Sequence, residues 1–180
     1  MGEKQSPAAR SHGTPWFETN QARVLLEQKA MEMRFPQFRL MRDNKEHKLL
    51  WRGTLDSNGG NHYEIALIYP DDFPHKPPDV YPVDPVITVW KDEETGRLKH
   101  QYNDGRLCLY YPGDRTFAQN TTAATVVAVA AAWFFAYERW LESGKTDWPL
   151  IDVFLLQRSA FEPYEPVRLS RTLFGYVRLH

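Results

Sequence analysis

The chain carries one cysteine, Cys108, in the run His100-Gln-Tyr-Asn-Asp-Gly-Arg-Leu-Cys108-Leu-Tyr-Tyr-Pro112. A lone thiol excludes an internal disulfide framework and any multi-cysteine zinc or iron–sulfur site, which leaves nucleophilic chemistry or inert burial. If Arg106–Leu109 is extended, Leu107 and Leu109 point to one side and Cys108 to the other. Two leucines then anchor the stretch to the core and the thiol faces outward. A papain-like cysteine hydrolase also uses one Cys and one His, but its nucleophile begins a helix. Pro112 would break a helix started at Cys108, which disfavours that reading. The six histidines are scattered without ligand spacing, so neither a metal nor a cofactor is expected.

The elements that must position this run follow from local pattern. Thr19 or Asn20 is placed to cap a helix running to about Arg34, with Ala22, Val24, Leu25 and Met31 as its apolar face and Pro36 as its stop. Four extended segments follow, at Phe38–Arg42, Leu49–Leu55, Tyr63–Tyr69 and Val80–Trp90. Asn58-Gly59-Gly60-Asn61 is a strong hairpin turn, because Asn and Gly tolerate positive φ. Asp43-Asn-Lys-Glu-His47 is a weaker one. Asp71 to Pro85 holds five prolines and is neither helix nor central strand. Glu94-Thr95-Gly96 marks the tip of a projecting hairpin. Thr121 to about Leu141 is the longest helix, capped by Asn120 or Thr121, rich in alanine and closed by Gly144. Asp147 and Pro149 then start a short helix.

Length and composition set the frame. The chain has 180 residues, 22 Lys+Arg against 23 Asp+Glu, and 42% apolar residues, enough for one domain with a sizeable core. A net charge of −1 offers no basic face for phosphates, so nucleic acid is not an expected partner. No charged side chain lies between Arg115 and Glu138, but the apolar part, Ala123 to Tyr137, is shorter than the ~20 residues a bilayer requires. Neither a membrane span nor a membrane effector is expected. The N-terminus has no apolar signal region, and with the unpaired cysteine this points to the cytoplasm. Residues 1–15 read as a disordered tail, 16–148 as the catalytic domain and 149–180 as a C-terminal extension. The architecture is α+β: an N-terminal helix, a four-stranded antiparallel meander, an irregular active-site segment, then C-terminal helices.

Three strings carry a resemblance. Trp51-Arg-Gly-Thr opens a strand, Tyr69-Pro-Asp-Asp-Phe-Pro-His-Lys-Pro-Pro78 follows another, and Gly105-Arg-Leu-Cys-Leu109 holds the cysteine. Together they resemble the ubiquitin-conjugating enzymes of the E2 superfamily, over roughly Trp16 to Leu141. The longer run Leu-Cys-Leu-Tyr-Tyr-Pro-Gly-Asp, followed by Trp133-Phe-Phe-Ala-Tyr-Glu-Arg-Trp140, is similar to the bacterial branch found in antiphage systems, including the cyclic-oligonucleotide-based ones (CBASS). The resemblance implies that Cys108 accepts a protein C-terminal acyl group as a thioester and passes it to an amine. The implied partners are an E1-like activating protein, a ubiquitin-like protein, or a nucleotidyltransferase whose C-terminus is transferred.

One departure bears on mechanism. The eukaryotic pattern places the Asn of a His-Pro-Asn motif eight residues before the cysteine, and here that position is His100. A His ring N–H can serve as the oxyanion donor in its place, or the imidazole can act as a base. Tyr110, Tyr111 and Asp114 flank the cysteine and are expected to shape the acceptor groove. Pro74, Pro77 and Pro78 rigidify the loop beneath the site. Trp51 and Tyr63 read as core aromatics, and Trp133, Phe134, Tyr137 and Trp140 as a packed helical face. An E2-like adaptor without catalysis is the competing reading, and the retained Cys108 weighs against it.

Overall fold

The computed structural model describes residues 13–96, 98, 100–110 and 117–149. A four-residue helix α1 (Trp16–Thr19) leads into α2 (Gln21–Arg34). Asn20 caps α2, its side chain accepting the Arg23 N–H at 3.0 Å, while the Thr19 hydroxyl instead closes α1 by donating to the Trp16 carbonyl. The buried residues of α2 are Glu27 and Met31. Leu25, expected on the apolar face, is 56% exposed, because the inward stripe falls three and seven residues after Val24 rather than one.

Strands β1 (Arg39–Asp43), β2 (Lys48–Asp56), β3 (His62–Ile68) and β4 (Asp79–Asp84) form an antiparallel sheet in sequential order. Asp43 Oδ1 accepts the N–H groups of Lys45 and Glu46 in the first turn, and Gly60 supplies φ +81 in the second. Inside the Trp51-Arg-Gly-Thr string, the Phe38 ring lies where a Cβ on Gly53 would sit, 2.5 Å from the ring carbon, so only glycine fits. β4 ends at Asp84 instead of running on to Trp90. It forms a sheet edge, where Pro82 costs no interior ladder bond, and Pro85 follows it directly. The Glu94–Gly96 turn closes beneath a Lys91–Leu98 bridge, as a projecting hairpin requires.

Helix α3 (Ala123–Glu142) crosses the inner sheet face. Tyr63 stacks on Phe134 at 4.2 Å while donating its hydroxyl to Glu138. Trp51, Tyr63, Ile65 and Leu67 fill the core below it. Among the described residues no helix is long and apolar enough to cross a membrane. Residues 147–149 are not helical, and any continuation lies outside the described residues, as do most of the expected tail (1–12) and most of the extension (150–180).

The start of α3 is capped from a distance. Thr122 makes no side-chain cap, and the Thr121 hydroxyl serves Ala118 instead. The Ala123 N–H donates to Glu27 Oε2 at 2.6 Å, which also accepts from the Tyr69 hydroxyl at 2.9 Å. Tyr69 in turn accepts from the Trp51 indole, and Arg23 pairs with Glu27 at 2.8 Å while donating to the carbonyls of Gln119 and Thr121. A carboxylate at a helix N-terminus meets both the dipole and the orphan donors. One buried charge thus ties α2, the sheet and the segment entering α3.

Burial raises the Glu27 carboxyl above its ordinary value of 4.5, outweighing the bonds that favour the ion. The native state therefore binds this proton more tightly than the unfolded chain. The group's contribution to stability declines as pH rises from about 4.5 through its raised native value, then levels off. Glu27→Gln is expected to cost about 2 kcal/mol, by weakening bonds to a charged group, and to remove that decline. Urea denaturation of both proteins across pH 4.5–8 checks both effects.

Candidate active site

The segment carrying Cys108 is fastened to the edge of the sheet. Leu107, 4% exposed, donates its N–H to the Val80 carbonyl at 2.8 Å. Leu107 also bridges Gln101, and on either side of that pair Cys108 N–H donates to the His100 carbonyl and Tyr102 N–H to the Arg106 carbonyl, each at 2.9 Å. Gly105, at φ +86, closes the turn between them, and its carbonyl accepts from the Gln101 side chain at 3.0 Å. Residues 100–108 therefore form a short hydrogen-bonded hairpin. Its buried face is Gln101 and Leu107, and Cys108 stands half-buried on the other, as the alternation of leucines requires.

His100 lies directly beside this cysteine in the pairing. Its backbone is left-handed, at φ +54, a conformation uncommon outside glycine and sustained only where the surroundings fix it. Two donors do so. Its carbonyl accepts from Cys108 and from the Trp133 indole at 2.8 Å. Its ring stacks flat on Trp148, with centroids 4.0 Å apart and planes 19° from parallel. Trp148 rests on Trp133 and Trp140, and Trp90 packs against Trp140. The helical aromatics of α3 are a packed face, and they also form the bed on which the His100 ring is held.

Tyr102 and Arg106 complete the exposed side of the hairpin. The closeness of the Cys108 sulfur, together with burial, raises the Tyr102 phenol above its ordinary value of 10.0. It is therefore a proton-bearing donor near neutrality. Arg106 lies over its ring at 4.2 Å and is paired with Asp79 at 2.7 Å and Asp104 at 3.3 Å. Tyr110 is half-buried and packs edge-on against Phe117. Tyr111 and Asp114 lie outside the described residues.

The structure thus brings Cys108 and His100 together through their backbones and adds Tyr102, Arg106 and Trp148, which sequence reasoning had passed over. Tyr102 could have been found, since it shares the parity of Cys108 across a Gly-containing turn. Trp148, by contrast, sits 48 positions after His100 and gave no local signal. The arrangement offers a thiol mounted on a hydrogen-bonded hairpin and an imidazole held by stacking, a set suited to acyl transfer through sulfur. No curated protein matches the chain. The family model for type II CBASS E2 proteins matches residues 27–151, spanning every element described except α1 and the start of α2, and the chain belongs to that family of bacterial antiphage proteins.

Proposed function

We propose that the protein is an E2-like cysteine acyltransferase in which Cys108 accepts the C-terminal acyl group of another protein and passes it to an amine. The observation that carries this reading is the mounting of Cys108: half-buried, on a hydrogen-bonded hairpin, with a core leucine behind it and non-helical backbone at Leu109 and Tyr110. That backbone argues against a papain-like nucleophile, which requires a helix there.

In loading, the Cys108 sulfur attacks the carbonyl of an incoming thioester. The new C–S bond forms, the donor's C–S bond breaks and the donor thiol departs. Thiol exchange is nearly neutral in energy, so the site has no need of a strongly activated thiolate. In discharge, an amine nitrogen attacks the same carbon, a tetrahedral oxyanion forms, and collapse expels the Cys108 thiolate. His100 supplies the oxyanion's hydrogen bond from its ring N–H. Tyr110, Tyr111 and Asp114, close to Cys108 in the sequence, shape the acceptor groove in this reading. The acyl donor is a ubiquitin-like protein or a nucleotidyltransferase, delivered by an E1-like protein in the cytoplasm.

Incubation with the protein products of its own operon, followed by non-reducing electrophoresis, tests the reading. The expected result is an adduct that disappears with dithiothreitol and whose peptide map places the acyl group on Cys108. An adduct mapped to a lysine from the outset, with no thiol-sensitive precursor, would overturn it.

A further inference from the structure

The turn that closes α3 sends the chain back toward His100. Gly144 and Lys145 reverse it with left-handed backbone, at φ +71 and +69. The Ser143 hydroxyl donates to the Trp140 carbonyl at 2.8 Å and accepts the Asp147 N–H at 3.1 Å, while Thr146 donates its hydroxyl to the Ser143 carbonyl at 2.9 Å. Pro149 is buried on the far side. Trp148 is therefore held from both flanks, with its ring resting on Trp133 and Trp140.

The His100 backbone is fixed separately, by the Cys108 N–H and the Trp133 indole, and these set where its Cα–Cβ bond points. They do not set the imidazole, because χ1 has three staggered wells and χ2 of histidine is broad. The Trp148 stack, at 4.0 Å and 19° from parallel, selects one arrangement of the ring. It engages the π face of the imidazole and leaves the ring edge, where the N–H lies, out of the contact.

We propose that Trp148 is a positioning residue for His100, holding the imidazole in one orientation so that its N–H is in place before the oxyanion forms. The role rests on the acyl-transfer reading above. A donor fixed in advance needs no reorganisation when the amine attacks, whereas a rotating ring must first be gathered into place. Trp148 touches neither the substrate nor the sulfur in this scheme, and its effect passes through His100 alone.

Trp148→Leu keeps apolar bulk and removes the flat face, while Trp148→Phe keeps a face. The first measurement needs no partner protein. The indole ring current shifts the His100 ring protons upfield, and their NMR signals are identified by their absence from His100→Ala. Those signals should move downfield in Trp148→Leu and stay upfield in Trp148→Phe. The second measurement is single-turnover discharge of the preloaded enzyme. Trp148→Leu is expected to slow it by about 10-fold to 10²-fold, with much less effect on loading, and Trp148→Phe to recover most of that loss. The third repeats Trp148→Leu in the His100→Ala protein, where it should change discharge by no more than about twofold. A merely structural contribution would slow discharge equally in both backgrounds.

Equal slowing with and without His100 would overturn the proposal. So would undiminished discharge by Trp148→Leu, or His100 signals that this substitution leaves in place. If no protein, wild type included, forms a thioester, the acyl-transfer reading fails and this role falls with it, while the ring signals still report the stack.

Discussion

Cys108→Ala is expected to eliminate the thiol-sensitive adduct and all downstream conjugation, while the protein remains folded. The two halves of that expectation have separate causes. Chemistry is lost because no other thiol exists in the chain. The fold survives because the residue's structural contribution is its backbone N–H, which reaches the His100 carbonyl at 2.9 Å whatever the side chain. The side chain itself is half-buried, so removing one sulfur should cost no more than about 1 kcal/mol. Cys108→Ser sharpens the test. A hydroxyl loads slowly, but the ester it forms is a poorer acyl donor to amines than a thioester, so a dithiothreitol-resistant, alkali-labile adduct should accumulate. Conjugation that persists in the alanine protein would remove Cys108 from the mechanism.

The second large effect belongs to His100. His100→Ala is expected to slow discharge of the preloaded enzyme by on the order of 10²–10³, the loss typical of one oxyanion donor, with much less effect on loading. Loading is thiol exchange with a partner that brings its own catalytic groups. His100→Asn should recover part of the rate, since a side-chain amide donates from nearly the same place. The backbone makes that comparison informative. At φ +54 asparagine is accommodated more readily than alanine, so the Asn protein keeps the bonds from Cys108 and Trp133 without added strain. A base role predicts a different outcome: Asn would not rescue, and wild-type discharge would decline on acidification through the ordinary histidine range. Comparing wild type, Ala and Asn in single turnover separates the two, and equal rates in all three would leave the ring without a catalytic part.

The sequence by itself determined those features whose signals are local. Asn20 before α2 and Pro36 after it mark that helix because a cap and a missing N–H act within one turn. Asn58–Asn61 encodes its hairpin because the turn's backbone selects for Asn and Gly. Alternation around Cys108 sufficed to turn the thiol away from the core, since side chains in extended backbone switch faces at every residue. The quoted strings likewise named the family that the chain belongs to.

Only the tertiary structure decided the rest, and in each case the deciding partner is remote in the chain. Local pattern points to Asn120 or Thr121 as the cap of α3, but Glu27 supplies it from 96 residues upstream. The Thr121 hydroxyl accepts from Ala118 instead, the Ala123 donor is met by the buried carboxylate, and nothing in periodicity reports that neighbour. The sequence reads the fourth strand through to Trp90, yet it stops at Asp84, before Pro85. Trp148 reaches His100, and Asp79 reaches Arg106, only after the chain has closed loops of tens of residues. Such contacts leave no mark on local propensity, because they become favourable only once packing has met the entropy of loop closure. The candidate nucleophile was therefore legible in the chain, and the groups that hold its hairpin in place emerged only when the fold brought them together.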